Sequence, residues 1–180
     1  PESKFQIYTF NERRLPGVPL FHLSLACNHC LEPPCMEHCP ALAYSKDPTS
    51  GAVTIEASRC IGCGYCSWAC PYDAPQFDGR SGLMEKCTFC LQRTRMGRMP
   101  ACLEVCPTGS RKFGNVLDPD SEVAYILRHK RVYVFKEDVG TIPRFFYYFD
   151  ERGSRYRDPP PALQPERGFP GIPHSGPLHP

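Results

Sequence analysis

The sequence contains no long hydrophobic run and no marked excess of charge. Its longest apolar stretch, residues 145–149, is far shorter than the roughly 18 apolar residues that a membrane-spanning helix needs. Arg13 and Arg14 form an arginine pair, but the apolar segment of a secretory signal does not follow them. The formal charge of +2 gives no basis for a nucleic-acid-binding or polybasic membrane surface. We therefore expect no transmembrane segment of its own and no nucleic-acid partner.

Signatures of catalysis are missing as well. The chain has no Gly-rich nucleotide-binding fingerprint, and no combination of nucleophile, base and acid can be argued from its sequence. No catalytic residue is therefore predicted, and the chain is not expected to be an enzyme on its own.

Cysteine and proline, in contrast, are abundant, with 12 Cys and 21 Pro in 180 residues. All the cysteines fall into three groups of four, and each group ends in Cys-Pro. The groups are Cys27, Cys30, Cys35 and Cys39; Cys60, Cys63, Cys66 and Cys70; and Cys87, Cys90, Cys102 and Cys106. Such an internal repeat of potential ligands indicates a shared chemical purpose.

The second group has the spacing Cys-x2-Cys-x2-Cys-x3-Cys-Pro that bacterial ferredoxins use to bind 4Fe–4S clusters. A loop with this spacing can place thiolates on three corners of a cubane. Gly62 and Gly64 lie inside the loop, where the backbone must approach the cluster closely and amides can point at sulfur. We therefore predict 4Fe–4S clusters as cofactors, three of them in this chain.

Three other roles fit the cysteines less well. In zinc sites two separate Cys-x2-Cys pairs come together to give four ligands, a pattern that leaves the additional cysteines of these groups unused. Cysteines this close in sequence are unsuited to ordinary structural disulfides, which are typical of smaller secreted chains. Buried free thiols would not repeat with such regularity. Cluster binding accounts for the spacing, the repetition and the Cys-Pro endings together.

Between the cysteine groups the sequence alternates short strands, tight turns and short helices, which predicts a loop-rich α+β fold. The turn-forming segments 47–51 and 78–82 each separate two short strand-like runs and predict hairpins. Short helices are expected around 67–69 and 91–95.

A longer helix and two strands are expected after the last cysteine group. Asp118 and Pro119 fit the N-cap and first helical positions, and the helix would run to about Arg128. Its inner face would present three apolar residues, Val123, Ile126 and Leu127. Segments 131–135 and 145–149 are predicted as strands.

Composition divides the chain into four predicted segments. They are an N-terminal segment at 1–22, a ferredoxin-like cluster-binding core at 23–117, a helix and strands packing on that core at 118–150, and a proline-rich extended tail at 151–180. The tail has eight prolines and four glycines and too few periodic apolar residues to make a core of its own. We expect it to be disordered or to lie in extended form across a partner.

Several other residues near the cysteines have possible roles. Seven basic residues would partly balance the charge of thiolate-bound clusters, although a solvated surface position explains any single one at least as well. They are Arg59, Lys86, Arg93, Arg95, Arg98, Arg111 and Lys112. Trp68 lies between Cys66 and Cys70 and could shield a cluster, but core packing is the favoured role. Each motif already has four Cys, so His29 and His38 are expected to support the ligands or lie at the surface.

The stretches around the cysteines resemble the four-cluster iron–sulfur subunit of molybdopterin oxidoreductases, above all the polysulfide, thiosulfate and dimethyl sulfoxide reductase subunits. The resemblance covers roughly residues 20–150. It lies in residues 23–30 (LSLACNHC), 33–35 (PPC), 60–66 (CIGCGYC), 69–74 (ACPYDA), 86–90 (KCTFC) and 140–147 (GTIPRFFY). The resemblance implies two fused ferredoxin-like halves and a relay of electrons from cluster to cluster.

The resemblance also implies a crossed set of ligands. Cys27, Cys30, Cys35 and Cys70 would hold one 4Fe–4S cluster, and Cys60, Cys63, Cys66 and Cys39 a second. The family has a further cysteine group near the N-terminus that is absent here. The third group, Cys87, Cys90, Cys102 and Cys106, would pair with that group or close a third cluster locally. We favour truncation of a longer chain, which would then carry four clusters.

The resemblance further implies a molybdenum or tungsten bis-pterin catalytic subunit as partner, together with a membrane-anchor subunit. The chain would then be peripheral on a membrane complex, with the periplasmic face favoured over the cytoplasmic one. The alternative is a polyferredoxin, or the electron-transfer subunit of a hydrogenase or formate-oxidising complex. The proline-rich tail and the aromatic strand favour an obligate complex over a diffusing carrier.

Overall fold

The computed structural model describes residues 6–10 and 21–148. The chain forms two compact units, divided between Thr88 and Phe89. This division falls inside the segment 23–117 that composition marks as one core, and the four segment bounds stay predictions. No helix among the described residues is long and apolar enough to cross a bilayer.

Antiparallel two-stranded sheets make up the β structure described for the first unit. Their strands are β1 (Gln6–Phe10) with β2 (Phe21–Leu25), β3 (Tyr44–Lys46) with β4 (Val53–Ile55), and β5 (Gln76–Asp78) with β6 (Leu83–Glu85). Two short helices, α1 (Pro34–Glu37) and α2 (Tyr65–Ala69), carry cysteines. The predicted hairpins at 47–51 and 78–82 and the helix near 67–69 are confirmed.

Local turn chemistry explains why both hairpins form where the sequence predicts them. In the first, Asp47 Oδ2 accepts hydrogen bonds from the Ser50 backbone N–H at 2.8 Å and from its hydroxyl at 2.5 Å. In the second, the Gly82 N–H donates to the Asp78 carbonyl at 2.8 Å, and Gly82 has a φ of +71°. Asp and Gly supply the turn hydrogen bonds and the left-handed backbone that such loops need.

The second unit is built from short helices and one small sheet among its described residues. These elements are α3 (Leu91–Thr94), α4 (Ala101–Glu104), α5 (Glu122–His129) and the antiparallel pair β7 (Val132–Tyr133) and β8 (Tyr147–Tyr148). The helix predicted at 91–95 is confirmed. The strands are shorter than the predicted 131–135 and 145–149, and residue 149 and the tail at 151–180 lie outside the described residues.

The longer helix, α5, begins later than predicted. Its N-cap is Ser121, whose hydroxyl accepts a hydrogen bond from the Ala124 N–H at 3.1 Å. The predicted cap, Asp118, is used instead in a turn before the helix, where its side chain accepts from the Asp120 N–H at 3.0 Å. Ile126 is buried as expected, and its buried neighbour is Ala124, whereas Val123 and Leu127 are half-buried.

The hydrophobic core of the first unit contains cysteine side chains. Cys35, Cys39 and Cys66 are buried together with Ala43, Tyr44, Val53 and Met84. Three of the predicted ligands therefore lie where a small fold would otherwise place aliphatic residues.

Candidate iron–sulfur sites

Four cysteines of the first unit line a single cavity. They are Cys27, Cys30, Cys35 and Cys70. The first three come from α1 and the loop before it, and Cys70 is the C-cap of α2. The first and second cysteine groups thus contribute to the same cavity. These are the four side chains that the resemblance assigns to one cluster.

The other cysteines of the first two groups lie mainly around the core of the first unit. Cys39 and Cys66 are buried in it, and Cys60 packs against it. Burial raises the pKa of Cys66, and the neighbouring Cys39 thiol adds to this increase. Cys63 is exposed. The core therefore gathers three of the four side chains assigned to the second cluster and leaves the fourth at the surface.

Burial weakens the acidity of two thiols of the first cavity, those of Cys35 and Cys70. It raises the pKa of Cys35 to about 12, and the nearby Lys86 ammonium acts against this increase. Burial likewise raises the pKa of Cys70. Iron binds the thiolate form, so ligation at these positions must displace protons and is favoured as the pH rises.

The third cysteine group is divided between the two units. Cys87 belongs to the first unit and three cysteines belong to the second, namely Cys90, Cys102 and Cys106. Hydrogen bonds from the hydroxyls of Ser110 and Thr108 lower the pKa of Cys106 to about 6. This thiol is therefore a thiolate at neutral pH, the form that binds metal.

The cysteines around the first cavity are arranged in a way that suits a cluster. All twelve lie within the described ranges and carry free thiols. Within those ranges no three His, Cys, Asp or Glu side chains come together as ligands of one ion. In a 4Fe–4S cluster each thiolate binds a different iron atom, so the ligands surround a cavity instead of meeting at one point.

Asn28 provides an independent sign that a polar group belongs in the first cavity. This residue lines the cavity and is 2% exposed. Neither its Nδ2 nor its Oδ1 has a hydrogen-bond partner in the part of the chain that the structure describes. A buried amide needs a partner, and the inorganic and cysteine sulfurs of a cluster are acceptors for its N–H groups. The residues present therefore fit the cofactor.

One of the seven basic residues is not at the surface. Lys86 is buried, with 4% of its area exposed, so the solvated-surface explanation is wrong for it. Others form surface pairs: Arg59 with Glu56 at 3.7 Å and Lys112 with Glu122 at 2.7 Å. Lys86 directly precedes Cys87 in the sequence, but this position alone did not distinguish it from the other six basic residues.

The aromatic and histidine side chains near the motifs separate into buried and exposed residues. Trp68 is 82% exposed, so its predicted core position is wrong. It lies on the solvent side of α2, with its ring 5.7 Å from that of Tyr65. His29 is buried and accepts a hydrogen bond from the Val53 N–H at 3.0 Å, whereas His38 is exposed. His38 thus lies at the surface, one of the two positions predicted for the histidines, and a supporting role of His29 toward the ligands stays a prediction.

Tyr44 is a site residue that sequence reasoning missed. Its side chain is buried in the core of the first unit, close enough to the Cys66 thiol to lower the pKa of that thiol, and its hydroxyl has no hydrogen-bond partner among the described residues. Burial raises the pKa of Tyr44, so the hydroxyl keeps its proton and remains a donor. Only its place in a β-strand could be read from the sequence, because the contact with Cys66 depends on packing.

Gly62 provides a test of the loop that carries the second group. Its φ is +67°, and a Cβ atom there would overlap the carbonyl oxygen of Gly82. Gly64 has a φ of +79° but no neighbouring atom within 4 Å of such a Cβ. We expect Gly62→Ala to destabilise the cluster-loaded protein by about 1–3 kcal/mol more than Gly64→Ala. Denaturant midpoints and iron content measure this, and equal effects of the two changes would contradict the close approach.

Curated proteins of redox complexes are similar to this chain. A sulfite dehydrogenase subunit of Allochromatium vinosum is 38% identical over 160 residues, covering 86% of this chain and 67% of that protein. A tetrathionate reductase subunit of Salmonella typhimurium is 42% identical over 147 residues, covering 81% and 57%. A chain of the anaerobic dimethyl sulfoxide reductase of Haemophilus influenzae is 42% identical over 96 residues, covering 53% and 46%. The sequence thus spans about half to two thirds of the length of these relatives.

These relatives confirm the family resemblance that the cysteine motifs predict. A match to a family model confirms the predicted cofactor. Residues 18–116, more than half of the chain, match the model of the 4Fe-4S dicluster domain. That span includes all twelve cysteines. This protein belongs to the family of 4Fe–4S dicluster domain proteins.

Proposed function

We propose that this chain is a non-catalytic electron-transfer subunit. It relays electrons between a catalytic subunit with a molybdenum or tungsten bis-pterin and a membrane or other redox partner. A bound 4Fe–4S cluster supplies one-electron transfer. The observation that carries the proposal is the cavity lined by Cys27, Cys30, Cys35 and Cys70, because it combines two cysteine groups as a ferredoxin-type cluster pair requires.

The cysteines of the first two groups would divide the ligand role between two clusters. The first cavity would hold one cluster through its four cysteines. Cys60, Cys63, Cys66 and Cys39 would hold the second. All four cysteines of the first site are buried or half-buried, whereas the exposed Cys63 would bring the second cluster close to solvent. This difference suits a relay in which one cluster exchanges electrons with a partner at the surface.

Exposed apolar side chains close in sequence to Cys63 support a partner near the second cluster. Ile61 and Tyr65 flank that cysteine and are mostly exposed, and Trp68 follows on α2. Large apolar side chains grouped at a surface are typical of protein interaction sites. A contact there would shield the cluster and shorten the distance over which an electron must travel.

The relatives support a complex with other chains. Their names describe one subunit of sulfite dehydrogenase, one subunit of tetrathionate reductase and one chain of anaerobic dimethyl sulfoxide reductase. Each is thus one component of a larger assembly. We propose the same for this chain, as a peripheral subunit of a membrane-associated complex with an anchor subunit, on the periplasmic side.

Anaerobic purification from the source cells tests this function. We expect iron and acid-labile sulfide in equal amounts, one-electron reduction in an electron paramagnetic resonance (EPR) titration, and a co-purifying pterin-containing chain. Zinc without sulfide would contradict cluster binding altogether. Iron and sulfide in a chain that purifies alone would favour the alternative of a polyferredoxin, and a nickel-containing or formate-oxidising partner would favour the other alternative.

A further inference from the structure

We propose that Lys86 and Asn28 raise the reduction potential of the cluster held by Cys27, Cys30, Cys35 and Cys70. The inference rests on the proposed ligand set. It assigns a specific electrostatic task to two buried residues that are not ligands themselves.

The Lys86 ammonium is held at the wall of the cavity by the peptide backbone and by a ligand. Its Nζ lies 3.5 Å from Cys27 Sγ and 3.3 Å from the Cys87 carbonyl oxygen, and it also donates to the Val53 carbonyl. A lysine ammonium has three N–H donors. Each of the three therefore has an acceptor, and one of these acceptors is the sulfur of a proposed iron ligand.

The charge on Lys86 needs a counter-charge that the described residues do not otherwise supply. Apart from cysteines and tyrosines, the buried polar or charged side chains in the described ranges are Asn28, His29, Lys86 and Thr141, so no buried carboxylate is among them. An isolated buried ammonium is strongly unfavourable. A cluster with four thiolate ligands is an anion, and it would pair with Lys86 at the distance observed for Cys27.

Asn28 supplies a second donor to the same cavity. It follows Cys27 directly, lines the same cavity, and has no partner for its amide within the described residues. Hydrogen bonds to cluster sulfurs are among the factors that set the reduction potential. The amide N–H groups of Asn28 are therefore placed to donate to the cluster.

Both residues act in the same direction. Reduction adds one electron and no proton, so the negative charge in the cavity increases by one. The Lys86 cation and the Asn28 N–H dipole stabilise the reduced form more than the oxidised form, which raises the potential. Lys86 carries a full charge and Asn28 only a dipole, so the effect of Lys86 is the larger.

The second site offers a matched comparison. There the buried Tyr44 hydroxyl lies near the Cys66 thiol, a proposed ligand of the other cluster, and has no hydrogen-bond partner among the described residues. Tyr44→Phe removes that donor with almost no change in volume. Tyr44 also lies near Cys35 and Cys27 of the first site. Tyr44→Phe should therefore shift the midpoint of the second cluster more than that of the first, whereas Lys86→Met should shift the midpoint of the first cluster more.

EPR-monitored redox titration of the full chain in its purified complex tests the inference with Lys86→Met, Lys86→Arg, Asn28→Ala and Tyr44→Phe. For Lys86→Met we expect at least a tenfold lower equilibrium constant for reduction of one cluster, a shift of about 59 mV to lower potential. Lys86→Arg keeps the positive charge and should therefore keep most of the wild-type potential. Asn28→Ala should lower the same midpoint by less, and Tyr44→Phe should lower the midpoint of the other cluster more than this one.

Unchanged midpoints in Lys86→Met and Asn28→Ala, with full iron content, would overturn the inference and leave the proposed function intact. A shift in Lys86→Met that Lys86→Arg does not reverse would also overturn it, because charge would not be the cause. If Lys86→Met fails to retain the cluster, the Asn28→Ala variant is the test: a lower midpoint supports the inference and an unchanged midpoint overturns it. Wild-type protein without iron and sulfide would instead contradict the proposed function itself.

Discussion

Anaerobic removal of iron by a chelator is expected to unfold the first unit. Its core includes Cys35, Cys39 and Cys66, and its described sheets each have only two strands. Isolated two-stranded sheets are marginally stable in water. The proposed clusters connect the loop before α1 to the C-terminal end of α2, so their loss removes the connections between these loops.

The expected size of this effect follows from the energies involved. Structural metal in small domains contributes about 10–16 kcal/mol of binding free energy, whereas whole domains are stable by about 5–15 kcal/mol. The binding free energy lost with the clusters would therefore exceed the free energy of unfolding of the whole domain. Far-ultraviolet circular dichroism and limited proteolysis measure the result, with the same chelator saturated in advance with metal as the control. A protease-resistant first unit without iron would contradict this dependence.

Replacing cysteines in pairs is expected to reveal which ones share a cluster. Cys70→Ala should remove about four iron atoms per chain, the content of one 4Fe–4S cluster. Adding Cys27→Ala should remove no more, because both cysteines would hold the same cluster. Adding Cys60→Ala instead should remove about four more. This expectation rests on the cavity that Cys70 and Cys27 both line, although 43 positions separate them in the sequence.

A second set of paired replacements, built on Cys39→Ala, serves as the control for the set built on Cys70→Ala. Cys39→Ala with Cys60→Ala should cost one cluster, and Cys39→Ala with Cys27→Ala should cost two. If each group kept its four cysteines on one cluster, the two outcomes would be exchanged in both sets. Iron and sulfide per chain, with EPR spin quantification, distinguish these patterns without any measurement of activity.

Features that depend on neighbouring residues were predictable from the sequence. The two hairpins follow from Asp and Gly at their turns, and α3 and the cysteine spacing are equally local. Even local reasoning failed where two residues competed for one role. Asp118 can cap either a turn or a helix, and its use in the turn left Ser121 to cap α5.

Other positions could not be predicted because they depend on which face of an element meets the core. Trp68 lies between Cys66 and Cys70, yet it points to solvent because α2 directs the buried Cys66 inward. The strands β7 and β8 pair over only two residues each, although the apolar runs that contain them are longer. Pairing partners, not β propensity alone, limit their length.

The three cysteine motifs, the family resemblance and the choice of cofactor all follow from the order of residues along the chain. These depend on spacing within short segments, where chain geometry limits how far apart two side chains can be. Only the tertiary structure brought Cys70 to the cavity of Cys27, Cys30 and Cys35, and set Lys86 against a sulfur 59 positions away. Contacts between distant segments depend on packing, because burial of the hairpins and helices, not their spacing along the chain, decides which side chains face one another.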